Sequence, residues 1–67
     1  MIITINGETT DKYFDRLNIE SLLKQLDLSS SQTIVELNKV ALKKKDYSET
    51  FITDGDIIEI VQIAAGG

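Results

Sequence analysis

Hydrophobic and polar positions along the chain change period twice. In the opening stretch MIITINGETT they alternate, so Ile3 and Ile5 share one face while Ile2 and Thr4 share the other. Asn6-Gly7 lies between two β-prone runs and suits the positive backbone angles of a two-residue type I′ turn. The pattern predicts a β-hairpin whose second strand covers about residues 8–14.

The period then becomes helical. In LNIESLLKQLDL, Ile19, Leu22, Leu23 and Leu26 recur at i, i+3, i+4 and i+7, one stripe of an amphipathic helix. Asn18 is placed as its N-cap, which puts Leu17 and Leu22 at the N′ and N4 positions of a hydrophobic staple. Glu20 in the first turn suits the helix dipole. Ser29, Ser30 and Ser31 compete for backbone hydrogen bonds, so the helix is expected to end near residue 28.

The second half returns to strand patterns. TIVELN predicts a strand over residues 33–38, a short apolar segment follows at 40–42 across an Asn38-Lys39 turn, and Asp54-Gly55-Asp56 marks another turn. The last strand, 57–63, is the most apolar stretch, with Ile58 and Ile60 on one face and Ile57, Glu59, Val61 and Ile63 on the other. One helix covers only one face of a small sheet. Two readings of the second face stay open: a central, β-prone strand, or a docking face for a partner made of Ile57, Glu59, Val61 and Ile63. Pattern ends at Ala64, Ala65, Gly66 and Gly67, small uncharged residues expected to form a flexible tail. The expected organisation is one domain over 1–63 and a diglycine tail over 64–67.

Composition narrows the chemistry. A chain of 67 residues makes one domain and buries about 60% of the surface its unfolded form exposes. No cysteine and no histidine are present, which removes thiol nucleophiles, thiolate or imidazole metal ligands, disulfides and the commonest general base. Hydroxyls, carboxylates, lysines and the terminal carboxylate remain. Eleven acidic residues against seven basic ones leave a net charge of −4, which disfavours non-specific nucleic-acid binding and favours a basic protein partner. Lys43, Lys44 and Lys45 read as a solvated turn, with docking a minor alternative. Asp54 and Asp56 read as turn formers, because a calcium loop needs further oxygen ligands at set spacing. No apolar run reaches the roughly 20 residues of a membrane helix, and the first fifteen residues lack a signal-peptide pattern, so a cytoplasmic protein is the expectation.

Hairpin, helix and further strands ending on a long one is the order of a β-grasp, or ubiquitin-like, fold. The expected class is α+β, with a mixed sheet of about four to five strands packed on one main helix. Within that order, VELNKVAL and the ending DGDIIEIVQIAAGG resemble the ThiS family, the sulfur carrier proteins of thiamine biosynthesis. The resemblance implies a protein that is itself no enzyme and binds no cofactor of its own. It implies that a ThiF-type adenylyltransferase uses MgATP to activate the Gly67 carboxylate, that sulfur originating from a cysteine desulfurase makes it a thiocarboxylate, and that a ThiG-type thiazole synthase receives the sulfur. Ala64, Ala65 and Gly66 would form the slender arm that carries Gly67 into the partner's active site; no metal site, nucleic acid or membrane is implied. The same diglycine ending occurs in the small subunit of molybdopterin synthase and in ubiquitin-like modifiers, which leaves two alternatives: a molybdenum-cofactor sulfur carrier, or a modifier conjugated through Gly67.

Overall fold

In a computed structural model, which describes residues 1–63, the chain runs through β1 (Ile3–Ile5), β2 (Glu8–Thr10), α1 (Ile19–Gln25), β3 (Thr33–Leu37), β4 (Val40–Ala41) and β5 (Ile57–Gln62). Short 3-10 turns lie at Ser30–Gln32 and Lys44–Asp46. The strands form one mixed sheet in the order β2-β1-β5-β3-β4. β5 runs parallel to β1 and antiparallel to β3, and both outer pairs are antiparallel. This is the expected α+β architecture, with the last strand in the centre.

The hairpin turns where expected, with Asn6 at φ 49° and Gly7 at φ 84°. Its second strand is shorter than the pattern suggested, ending at Thr10 rather than near residue 14. β1 offers only three residues to pair with, and beyond Thr10 the chain folds inward so that Tyr13 and Leu17 enter the core. The α1 N-terminus forms as read: the Asn18 side chain accepts from the Ser21 N–H at 2.7 Å, and Leu17 and Leu22 are both buried.

The helix stops at Gln25, three residues before the expected end. Asp27 adopts φ 61°, its N–H bonds to the Lys24 carbonyl at 3.0 Å, and the Leu28 N–H bonds to Leu23 at 2.8 Å. This is a Schellman closure with aspartate in the position glycine usually takes. The serines therefore follow the stop and do not cause it. β3, β4 and β5 each end one residue short of the expected limit.

α1 packs Ile19, Leu22 and Leu23 onto the inner sheet face, where Ile3, Val35, Ile58 and Ile60 are buried. Tyr47 and Ile52 complete this core from the long β4–β5 connection. Neither was legible beforehand, because one or two apolar residues in a polar stretch carry no period. Leu42 falls just past β4, and its N–H still donates to the Val35 carbonyl at 2.9 Å.

Candidate functional site

The start of β5 is held by side chains that the turn motifs had marked. Asp54 Oδ1 accepts from the Ile2 N–H at 2.6 Å, tying the turn to the beginning of β1. Asp56 accepts from the Thr53 N–H at 2.8 Å and from Asn38 Nδ2 at 3.0 Å, while Asn38 Oδ1 accepts from the Ile57 N–H at 2.9 Å. Gly55 supplies the positive φ of 89° that the turn requires. Both aspartates are thus committed to bracing β5, as turn formers should be. Among the described residues, no group of three acidic side chains is arranged to hold a metal ion.

Farther along β5 a second brace appears that the sequence did not reveal. The β1 main chain leaves the sheet at the Asn6 turn, but the Asn6 side chain continues the ladder. Its Oδ1 accepts from the Ile60 N–H at 2.7 Å and its Nδ2 donates to the Ile60 carbonyl at 3.2 Å. One side-chain amide therefore stands in for the next β1 peptide. Replacing Asn6 by glycine keeps the positive φ accessible yet strands both polar groups of Ile60. A loss of about 1–2 kcal/mol is expected, read as a lower urea midpoint; an unchanged midpoint would deny the amide this role.

Alternation along the braced strand separates two roles. Ile58 is fully buried and Ile60 nearly so, whereas Ile57 and Val61 are about half exposed, at 49% and 58%. Glu59 is exposed between them and Ile63 follows on the same parity. The four expected docking residues are thus brought onto one surface, opposite α1. The β3 register adds Ile34, facing Val61, and Glu36, facing Glu59, both exposed. These two had been read only as part of a strand, since pairing partners are invisible before the sheet order is known. The expected arm, Ala64, Ala65, Gly66 and the acceptor Gly67, lies outside the described residues and directly follows Ile63.

On the helix side, a shallow cleft of about 570 Å³ is lined by Lys12, Glu8 and threonines together with Tyr13, Leu26 and Ile60. Its lining holds no cysteine or histidine. No helix among the described residues is long and apolar enough to cross a membrane.

The sequence model of the ThiS family matches residues 2–67. The chain belongs to the ThiS family. A crystal structure of the thiamine biosynthesis protein ThiS from Geobacter metallireducens superposes with a TM-score of 0.83, at 32% identity and with both chains fully covered. The solution structure of a Geobacter metallireducens thiamine biosynthesis protein gives 0.82, covering this chain fully and 88% of the other. Both neighbours support the β-grasp assignment. Among sequence relatives, the uncharacterized protein ycf40 of Porphyra purpurea is 35% identical over 97% of this chain and 90% of its own length. A thiazole synthase of Paramagnetospirillum magneticum is 34% identical across the whole chain, which spans only 20% of that protein. ThiS membership agrees with the resemblance carried by the Asp-Gly-Asp turn, the apolar last strand and the diglycine.

Proposed function

We propose that this ThiS-family protein carries sulfur on the carboxylate of Gly67 as a substrate of other enzymes, with no catalysis of its own. A ThiF-type adenylyltransferase joins the carboxylate to AMP at the expense of MgATP, releasing pyrophosphate. A carboxylate is a poor electrophile; the mixed anhydride supplies AMP as leaving group. A thiol reductant releases the persulfide sulfur of a cysteine desulfurase as sulfide, which displaces AMP and leaves a thiocarboxylate. A ThiG-type thiazole synthase consumes that thiocarboxylate in forming the thiazole of thiamine.

The observation that supports this reading most is the construction of β5. A strand pinned on both sides presents Ile57 and Val61 outward, Ile63 follows it exposed, and residues 64–67 come next in the sequence. A partner that grips this face receives the arm at a defined position, and an arm of alanine and glycine has the small cross-section needed to reach a buried active site. The thiazole synthase of Paramagnetospirillum magneticum, which aligns with the entire chain, favours that enzyme class as the consumer.

The test is intact-mass measurement after incubation with ATP, magnesium, a ThiF-type enzyme and a sulfur source. One oxygen-to-sulfur exchange at Gly67 is expected. No exchange, with the same enzyme active on another carrier, would overturn the reading, and covalent attachment to lysines of other proteins would replace it with that of a modifier.

A further inference from the structure

We infer that the exposed sheet face is a socket for a guanidinium of the adenylating partner, seated between Glu36 and Glu59 and framed by Ile34, Ile57 and Val61. The inference rests on the carrier reading above and names what recognises it. The β3–β5 register sets Glu36 directly opposite Glu59, and both are exposed. Facing side chains in such a pair have Cβ atoms roughly 5 Å apart, and like charges placed so destabilise a sheet.

The strands themselves bear no cation to offset this pairing, since none of the five contains a lysine or arginine. The other cross-strand neighbour of Glu36 is Ala41 on β4. Along β5, Glu59 stands between Ile57 and Val61, and Ile34 faces Val61 across the β3–β5 pair. The seven cations of the chain lie in α1 and the connections, where Lys44 donates to the Ser31 carbonyl and Lys12 lies over the Tyr13 ring.

Two repelling carboxylates inside an apolar frame are poorly matched to the free protein and well matched to a bound cation. When a partner covers the half-exposed aliphatics, water leaves and the attraction between cation and carboxylates strengthens. A guanidinium suits the geometry better than an ammonium, because its planar fork can donate to two carboxylates at once. The same pair argues against a second copy of this chain as the occupant, since that would add two more carboxylates and no strand-borne cation. Charge complementarity on an apolar face therefore selects a basic partner surface, in keeping with the net charge of −4.

The experiment uses the full chain, a ThiF-type enzyme and the double variant Glu36→Gln/Glu59→Gln. Expected are a melting temperature at or above that of the parent, affinity for the enzyme reduced about ten-fold or more, and a flatter dependence of affinity on salt. Unchanged affinity with an unchanged salt slope would overturn the socket while leaving the carrier reading intact, provided the parent still gains sulfur. A parent that the enzyme neither binds nor modifies would overturn both. Reversible dimerisation of the parent through this face, seen by sedimentation and lost on Val61→Asp, would also overturn the socket.

Discussion

Removing Gly67 is expected to abolish both adenylation and sulfur loading while leaving the folding transition where it was. The reaction proposed for this chain takes place on one carboxyl carbon. Shortening the arm withdraws that carbon from the partner's nucleotide by about 3.5 Å, the span of one extended residue. Catalysis by positioning does not tolerate such a gap, since about 1 Å of misplacement costs on the order of a hundred-fold. Product should therefore fall below detection in intact-mass spectra. The fold has little to lose: the last buried side chain among the described residues is Ile60, and glycine has no side chain to bury. Denaturation followed by circular dichroism should superpose on that of the parent. A shortened chain that still gained sulfur would show that Gly67 is not the acceptor.

Two adjacent isoleucines of β5 are expected to divide stability from recognition. Ile58 is fully buried against α1, and truncation to alanine should cost about 2–5 kcal/mol through lost burial and a residual cavity. A domain of this size has a total stability of roughly 3–10 kcal/mol. Ile58→Ala should thus lose a large share of that stability, seen as a much lower urea midpoint. Ile57, one residue earlier and half exposed, should lose less than about 1 kcal/mol on the same truncation. Its loss should appear instead as weaker binding to the adenylating enzyme. Equal destabilisation by the two changes would contradict the assignment of their faces. An Ile57→Ala variant that bound and gained sulfur like the parent would remove this residue from the docking face.

Much of the local structure was legible because it is encoded locally. Asn6-Gly7, Asn18 with its staple, and the alternation of 57–63 each act within a few residues, and each formed as read. The misplaced boundaries have a common cause. Thr10 ends β2 because β1 is short, and Asp27 ends α1 because its left-handed backbone closes the last turn. Both outcomes depend on surroundings that periodicity does not report. Tyr13, Tyr47 and Ile52 entered the core for the same reason.

For the candidate site, alternation put Ile57, Glu59, Val61 and Ile63 on one surface and composition limited the available chemistry. The chain by itself determined which residues of each element prefer water, where its turns occur, and that no cysteine or histidine is available for its chemistry. Tertiary structure alone decided that the last strand lies between the first and the third, parallel to one and antiparallel to the other. From that choice follow the Asn6 brace on Ile60, the Asp54 tie to Ile2 and the meeting of Glu36 with Glu59. Side-chain period reports burial relative to a face, but the strand that supplies the next hydrogen bond is chosen by packing the whole core at once, across as many as 54 positions of sequence.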